Sequence, residues 1–259
     1  MAWGMFCWIP CPYKGWREED RKAQLAMLPL LGACMGVIVC LIWWALTLIG
    51  AGQFITGAIL TGAYFLMTGF IHLDGFMDCS DAIMPRHPDM AERRRILKDP
   101  ANGAFAVACL GIMLVVFAGA MVEIAPYFSM KACCMMVVVF TVSRFMSAME
   151  VLLQVPMSTS QYSQGEGGLK PMGTAKDTVP AFVVLIIVVG AAELIVAGGA
   201  WWALIAELNC TIVAVTVLVA AAITCNVDRK KLGGMNGDIS GHMITLSEMF
   251  GLLVMALMI

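Results

Sequence analysis

The chain has 259 residues, of which 61% are apolar and only 13% carry a charge, and its mean hydropathy is +0.86. This composition excludes an ordinary soluble domain, a disordered segment, a collagen-like chain and a disulfide-rich secreted scaffold. Sixteen Lys and Arg stand against eighteen Asp and Glu, a net charge of −2. The chain therefore lacks the net positive charge that attracts nucleic acid, and we expect no nucleic-acid partner. We predict an all-α, polytopic integral membrane protein that packs as a helical bundle in the lipid bilayer.

Residues 1–27 form a distinct N-terminal segment of a predicted single domain. Their apolar opening is interrupted by Pro10 and Pro12 and comes before the first basic residues, which is not the order of a signal peptide. The tryptophans of this segment are typical of anchors at the lipid headgroups. We therefore predict an interfacial or re-entrant segment, followed by a transmembrane bundle over residues 28–259.

Crossing hydrocarbon takes about 20 apolar residues, and the sequence holds seven candidate spans. They cover residues 28–50, 54–73, 104–125, 130–153, 180–200, 201–225 and 239–259. Nearly all basic residues then fall in the N-terminal segment and in the loops at 74–103, 154–179 and 226–238. Because cytoplasmic loops carry the excess of Lys and Arg, we expect these loops, and the chemistry of the protein, to face the cytoplasm.

The densest group of chemically active residues is His72-Leu-Asp-Gly-Phe-Met-Asp-Cys-Ser-Asp81, at the end of the second predicted span. Asp74, Asp78 and Asp81 are spaced i, i+4, i+7, so a helix here would place all three carboxylates on one face. An ionisable residue near hydrocarbon costs about 2.5–3.5 kcal/mol on insertion scales. A divalent cation would offset this cost and the mutual repulsion, and all-oxygen ligands favour Mg²⁺ or Mn²⁺ over zinc. The alternative is a solvated acidic helix end.

His72 suits four roles: metal ligand, proton shuttle, hydrogen-bond donor to a substrate, or polar helix end at the membrane interface. It lies two residues from Asp74, so the two side chains do not face each other on a helix and a catalytic dyad is not expected. Further along, Arg93–Arg95 are typical of a headgroup anchor, although arginines also clamp phosphates. Lys98 and Asp99, nearer the next helix, are better candidates for a binding site.

A second group lies far along the chain, in Lys230-Lys-Leu-Gly-Gly-Met-Asn-Gly-Asp-Ile-Ser-Gly241. Glycine-rich backbone that runs into a helix N-terminus offers amide N–H groups to an anion, and Asp238 adds a carboxylate that would complete a metal site. The alternative is structural, because Asp is a good N-cap and glycines are ordinary turn residues. The predicted position on the same membrane face as the three aspartates favours the functional interpretation.

Ser143-Arg144 places a cation inside a predicted span. Such an arginine usually pairs within the bundle, and Glu150 or a substrate phosphate would serve as its partner. Glu248, inside the last span, has the same two interpretations. The ten cysteines lie mostly in or beside apolar runs without a C-x-x-C motif, so we expect reduced thiols and, at Cys7 and Cys11, no structural zinc site.

These stretches together resemble the cobalamin synthase family, the adenosylcobinamide-GDP ribazoletransferases. The resemblance rests on the H-L-D-G-x-x-D-x-x-D element over 72–81 and the G-G-x-x-G-D element over 233–238, with Lys98-Asp99, Ser143-Arg144, Gly241 and Glu248 at matching places. It extends over nearly the whole chain. The sequence elements together are specific for this family, although each element alone is only weakly specific.

The resemblance implies the last assembly of the vitamin B12 nucleotide loop. The ribose 3′-hydroxyl of α-ribazole, or of its 5′-phosphate, attacks the cobinamide-linked phosphorus of adenosylcobinamide-GDP, and GMP leaves. It also implies Mg²⁺ dependence, a multi-pass location in a prokaryotic inner membrane and a cytoplasmic active face. Homo-oligomers and contacts with other enzymes of the corrinoid pathway stay open.

The residue chemistry and the family pattern together predict three sets of site residues. The catalytic set is His72, Asp74, Asp78 and Asp81. The metal ligands are Asp74, Asp78 and Asp81, with Asp238 as a fourth. The substrate or phosphate contacts are Lys98, Asp99, Arg144, Lys231, Gly233, Gly234 and Gly237.

The chain departs from the family pattern at two places. Asp81 is followed by Ala82 where the family commonly has glycine, which relaxes the expected turn geometry. An arginine expected near Gln164 is absent, so Lys170 or Lys176 would have to hold a phosphate in its place.

Two other functions compete with the transferase. A CDP-alcohol-type phosphotransferase also has membrane helices, Mg²⁺ and a cluster of carboxylates. This chain, however, departs from the D-x-x-D-G-x-x-A-R signature of that class after Asp81. A cation-coupled transporter would place its acidic site near the bilayer midplane, whereas these aspartates lie in predicted cytoplasmic loops. The sequence therefore favours an enzyme.

Overall fold

The computed structural model describes residues 1–11, 15, 17–86, 89–160, 162, 169–199 and 208–259. Over these residues it is built from α-helices and short 3₁₀ turns, without a β-strand, which confirms the all-α bundle. The helices are α1 (Ala2–Phe6), α2 (Arg21–Ala26), α3 (Leu28–Leu48), α4 (Gln53–Met67), α5 (Ile71–Ile83), α6 (Met90–Ile96), α7 (Ala104–Ile124), α8 (Met130–Leu153), α9 (Val179–Val196), α10 (Asn209–Leu232) and α11 (Gly237–Met258).

Among the described residues, six helical stretches are long and apolar enough to cross a membrane, and a bent pair, α4 with α5, would make a seventh crossing. The six contain α3, α7, α8, α9, α10 and α11. Because polar backbone must be satisfied internally within hydrocarbon, this set of helices makes the chain a multi-pass membrane protein.

The second predicted span, 54–73, is wrong at its end, because α4 stops at Met67 and α5 turns away from it by 88°. The turn is made by consecutive left-handed residues, Gly69 (φ 59°) and Phe70 (φ 61°). Only glycine adopts this conformation at no steric cost. The predicted helix over the aspartates is confirmed, since α5 covers Ile71–Ile83.

The sixth predicted span, 201–225, lies too early, because α10 covers Asn209–Leu232; residues 200–207 are outside the described part of the chain. The helix includes three basic residues in its last turn, where cations are favourable to the helix dipole. Gly233, with a left-handed φ of 78°, ends it. The loop predicted at 226–238 is therefore mostly helix, and only four residues separate α10 from α11.

Helix α8 forms the centre of the bundle and is the most buried of the six spans. It packs against α3, α9, α10 and α11. Contact with α3 is close because Gly32 and Gly36 face α8, and a Cβ at Gly32 would lie 2.2 Å from the carbonyl oxygen of Phe140. Helix α9 is the least buried span, as expected for a helix that faces lipid.

The N-terminal segment runs beside the α4–α5 turn. The Trp8 backbone N–H donates to the Met67 carbonyl (2.7 Å), and the Trp8 side chain is 74% exposed. Exposed tryptophan at the end of a span suits a headgroup anchor. Residues 12–14 and 16, part of the predicted interfacial segment, are outside the described residues.

Candidate functional site

The site begins where the middle of α5 crosses the first turn of α11. A Cβ at Gly75 would lie 2.8 Å from the carbonyl oxygen of Asp238, and one at Gly241 would lie 2.9 Å from the carbonyl oxygen of His72. Two glycines, one on each helix, thus let the two backbones approach more closely than side chains would allow. The prediction that the stretches 72–81 and 230–241 converge is confirmed by this contact.

Three carboxylates lie around this crossing, and we call Asp74, Asp78 and Asp238 the acidic group. Asp74 is exposed, whereas Asp78 and Asp238 are half-buried. The negative charges of Asp74 and Asp238 both act on Asp78, and that of Asp74 acts on Asp238. Asn236 holds Asp238 by donating from its amide Nδ2 to Oδ2 (2.6 Å), while its own Oδ1 caps α11 by accepting from the Ile239 N–H (3.0 Å). The repulsion within the acidic group makes it attractive to a cation.

The donors of the acidic group are all carboxylate oxygens, which fits Mg²⁺ rather than a softer metal. Asp74 and Asp78 come from α5 and Asp238 comes from α11. Mg²⁺ keeps several waters and commonly binds a protein through only one or two carboxylates. Asp74, Asp78 and Asp238 therefore remain candidate ligands for such a cation, and this assignment stays a prediction.

Asp81, expected to be a metal ligand, instead caps the next helix. Its Oδ1 accepts the Ala106 N–H (2.8 Å) and its Oδ2 accepts the Gly103 N–H, so both oxygens bind the start of α7. A negative charge at a helix N-terminus is favourable both through these bonds and through the helix dipole. Asp81 is buried. This arrangement gives Asp81 a structural role that its sequence spacing did not indicate.

His72 lies in the first turn of α5, buried beneath the N-terminal segment. Its ring stacks on Phe6 with centroids 6.4 Å apart, and its Nδ1 has no hydrogen-bond partner. The Thr245 hydroxyl on α11 donates to the His72 carbonyl (3.3 Å). The backbone of His72 thus helps to join α5 to α11, and a catalytic role for its ring stays a prediction.

A cleft of about 470 Å³ opens beside Asp74. Its walls are the α4–α5 turn and the N-terminal segment, and they include Gly69, Phe70 and Trp8. Because Asp74 is both exposed and on the wall of this cleft, a ligand in the cleft would meet the Asp74 carboxylate. The N-terminal segment is thereby part of the candidate site.

The glycine loop between α10 and α11 is held from outside by α6. Arg94 donates from Nε to the Leu232 carbonyl (2.6 Å) and from Nη2 to the Gly233 carbonyl (2.9 Å). Arg93 donates to the Lys231 carbonyl at 3.5 Å. Arg93 and Arg94 therefore bind the end of α10, where cations are favourable, instead of serving only as headgroup anchors.

Within that loop, some of the backbone N–H groups expected to bind a phosphate already donate to carbonyl oxygens of the protein. The Gly233 N–H donates to the Arg229 carbonyl (2.7 Å), and the Met235 N–H donates to the Val155 carbonyl (2.9 Å). Gly234, with φ 153°, lies against Met157, where a Cβ would meet the backbone nitrogen at 2.8 Å. Gly234 and Gly237 stay candidates for a phosphate contact.

Lys98 and Asp99 lie exposed between α6 and α7, and Asp99 accepts the Ala101 N–H in a local turn (3.0 Å). Lys231 is half-buried in the last turn of α10. Lys170 and Lys176, the alternatives to the absent arginine, are both exposed, whereas residues 163–168 are outside the described residues. These lysines border the same end of the bundle and stay predictions.

Arg144 is not placed at the acidic group. It is 1% exposed in the bundle centre, pairs with Glu248 through Nη1 and donates to the Ser143 hydroxyl (3.1 Å). Glu248 also accepts from the hydroxyls of Ser143 (2.6 Å) and Tyr64. The partner is therefore Glu248 and not Glu150, and a buried, paired guanidinium is unavailable to a substrate phosphate. The expected phosphate contact at Arg144 is wrong for this reason.

The sequence analysis did not identify a trio beside the acidic group, Cys79, Asp228 and His242. His242 Nδ1 and Asp228 Oδ2 are 2.6 Å apart, and the ligand atoms of all three residues lie within 4.8 Å of one another. Their numbers are far apart and they lie on three helices. No local motif signals such a trio, so only the packing reveals it.

Comparison with known proteins agrees with the arrangement of these elements. A family model described as cobalamin-5-phosphate synthase matches residues 1–256. A Clostridium perfringens protein named adenosylcobinamide-GDP ribazoletransferase is 28% identical, over 99% of this chain and 96% of its own. Proteins of that name from Lachnoclostridium phytofermentans and Pseudomonas fluorescens are each 29% identical, over 96% and 93% of this chain and 89% and 91% of their own.

No solved structure matches the chain. The family model nevertheless extends over all but the last three residues, and the relatives align along nearly the full length of both chains. It also includes both stretches that meet at the acidic group. This chain belongs to the cobalamin-5-phosphate synthase family.

Proposed function

We propose that this protein is an adenosylcobinamide-GDP ribazoletransferase, with its active site at the acidic group. The ribose 3′-oxygen of α-ribazole, or of its 5′-phosphate, bonds to the cobinamide-linked phosphorus of adenosylcobinamide-GDP. The bond from that phosphorus to the bridging oxygen breaks, GMP leaves, and the hydroxyl proton passes to a carboxylate. The observation that carries the proposal is the contact of α5 with α11, which brings Asp74 and Asp78 beside Asp238.

Each part of this site has a chemical task in such a transfer. Asp74, on the wall of the cleft, is the carboxylate with the most open approach for an incoming hydroxyl. Asp78 on α5 and Asp238 on α11, both half-buried, would hold Mg²⁺. When bound, Mg²⁺ supplies positive charge to the diphosphate oxygens and so offsets charge developing on GMP.

Lysines would orient the phosphates from the rim of the site. The candidates are Lys98, exposed after α6, and Lys231, half-buried in the last turn of α10. A lysine acts here as a movable point charge, which suits a substrate much larger than the acidic group. By the positive-inside rule we infer that this end of the bundle faces the cytoplasm, where nucleotide substrates occur.

A cation-coupled transporter is disfavoured by the position of the acidic group. Asp238 lies in the first turn of α11, and α5 packs on that same turn. Transporter sites lie near the bilayer midplane, commonly at breaks within spans. An acidic group that includes Asp238, at the start of a long span, is instead within reach of large water-soluble substrates.

The test is release of GMP by the purified full-length protein in lipid, given adenosylcobinamide-GDP, α-ribazole and Mg²⁺. We expect GMP and a cobalamin product in equal amounts, and a loss of at least about a hundredfold in turnover for Asp74→Asn and Asp78→Asn. Asp20→Asn, in an exposed pair with Arg17 (2.9 Å), is the control and should keep wild-type turnover. Absence of GMP release from the wild type would reject the proposal.

A further inference from the structure

Cys79, Asp228 and His242 bring three different metal-binding groups to one point in the protein. They lie on α5, α10 and α11 respectively, and their ligand atoms are all within 4.8 Å of one another. Cys79 is fully buried and Asp228 is 2% exposed. The side chain of His242 is 12% exposed. The trio is thus an interior cluster and not a solvated surface group.

The chemistry of the trio differs from that of the acidic group. A thiolate, an imidazole and a carboxylate are the ligands of Zn²⁺, whereas Mg²⁺ takes oxygen ligands. Tetrahedral Zn²⁺ with bonds of about 2.0–2.3 Å needs its ligand atoms roughly 3.3–3.8 Å apart. The ligand atoms lie at most 4.8 Å apart, and His242 Nδ1 lies 2.6 Å from Asp228 Oδ2, so these separations are within about 1.5 Å of that geometry.

The surroundings of the trio favour a cation. Asp228 is deeply buried, and its hydrogen-bond and ion-pair partner is His242 at 2.6 Å. A buried carboxylate without sufficient compensating charge is costly, and a divalent ion would compensate the charge of Asp228.

We propose that Cys79, Asp228 and His242 form a binding site for Zn²⁺ or a similar borderline divalent cation, separate from the acidic group. The two sites are neighbours, because Cys79 follows Asp78 on α5 and His242 lies one turn after Asp238 on α11. A metal held by the trio joins α5, α10 and α11 at the point where the acidic group is assembled. Its role is to fix those three helices, and the fourth coordination position is left to water.

This proposal is independent of the transferase activity and is tested by metal binding alone. Purified full-length protein in lipid is treated with chelator under reducing conditions and titrated with Co²⁺, whose thiolate charge-transfer absorption reports a bound sulfur. We expect one such Co²⁺ per chain, displaced by Zn²⁺ but not by Mg²⁺. Cys79→Ser should lose the sulfur band, and His242→Ala should weaken Co²⁺ binding at least about tenfold.

The matched control is Cys109→Ser, a half-buried thiol on α7, which should keep the wild-type band. Thermal unfolding of the wild type supplies a second measurement that requires no variant to fold: Zn²⁺ should raise Tm, and Mg²⁺ at the same concentration should not. A sulfur band that persists in Cys79→Ser would overturn the proposal. So would a wild type whose Tm does not respond to saturating Zn²⁺.

Discussion

At the scale of single residues, three aspartates of one helix face have two different tasks. Asp74 and Asp78 belong to the acidic group, whereas Asp81 binds the first N–H groups of α7 with both of its oxygens. The periodicity of the sequence placed all three together correctly, because α5 is helical throughout. It does not reveal which neighbouring element each carboxylate meets.

We predict that Asp81→Ala destabilises the protein without changing its need for Mg²⁺. The variant leaves the N–H groups of Gly103 and Ala106 without their acceptor, at a cost of about 2 kcal/mol. The free energy of unfolding in detergent should fall by this amount, while the Mg²⁺ concentration for half-maximal GMP release stays the same.

Asp89→Ala is the matched control for Asp81→Ala, because Asp89 caps the short, exposed α6 through the Ala91 N–H (3.0 Å). It should cost less, about 0.5–1 kcal/mol. If Asp81→Ala instead raises the Mg²⁺ requirement tenfold or more with unchanged stability, Asp81 is a metal ligand and not a helix cap.

At the scale of elements, the site depends on how closely α5 and α11 approach. Gly75 and Gly241 make that approach, and Asn236 fixes the start of α11 beside it. Arg94 of α6 holds the end of α10 through two carbonyls. Short polar and glycine contacts of this kind set the position of Asp238 relative to Asp78.

Gly75→Ala is expected to separate the two helices and reduce activity. The alanine Cβ would lie 2.8 Å from the carbonyl oxygen of Asp238 and 2.9 Å from its Cα. These are backbone atoms, which cannot relieve the overlap by rotating as a side chain can. Overpacking of this kind costs about 1–3 kcal/mol, and GMP release should fall at least about tenfold because catalytic geometry is sensitive to shifts of 1 Å.

Gly111→Ala in α7 is the control for this substitution, since a Cβ there meets nothing within 4 Å. It should be neutral or stabilise by about 0.5–1 kcal/mol, the usual gain of alanine in a helix interior. Wild-type turnover in Gly75→Ala would show that the close α5–α11 contact is not needed for the site.

The sequence predicted most of the helices, but not where the chain breaks or which distant residues pair. A long apolar run predicts a membrane-spanning helix, and α3, α7 and α8 therefore lie where the sequence places them. The break after Met67 interrupts a run that is apolar on both sides, and only backbone conformation at Gly69 and Phe70 marks it. Pairing depends on helix packing, which no local pattern encodes.

At the scale of the whole molecule, a buried ionic network joins helices from opposite ends of the sequence. Arg144 of α8 meets Glu248 of α11, with Tyr64 of α4 donating its hydroxyl to the same carboxylate. The guanidinium lies 5.9 Å from the Tyr64 ring centroid and 5.7 Å from that of Phe140. The network therefore connects α4, α8 and α11 in the interior.

Glu248→Gln should destabilise the fold strongly, by about 3–5 kcal/mol, because it leaves Arg144 charged and buried without its partner. Unfolding in detergent measures the change. Glu92→Gln, which removes an exposed pair with Arg95 (2.7 Å), is the control and should cost less than about 1 kcal/mol. Equal effects of the two variants would mean that the buried network contributes no more than a surface ion pair.

The central claim is that carboxylates from two distant stretches share one hard cation. Mn²⁺ binding in lipid, followed by electron paramagnetic resonance with adenosylcobinamide-GDP present, tests it most directly, since Mn²⁺ favours the same oxygen ligands as Mg²⁺. We predict one bound Mn²⁺ per chain in the wild type and in Asp20→Asn, and affinity at least about tenfold weaker in both Asp78→Asn and Asp238→Asn. Wild-type Mn²⁺ affinity in either of the last two variants would contradict the claim.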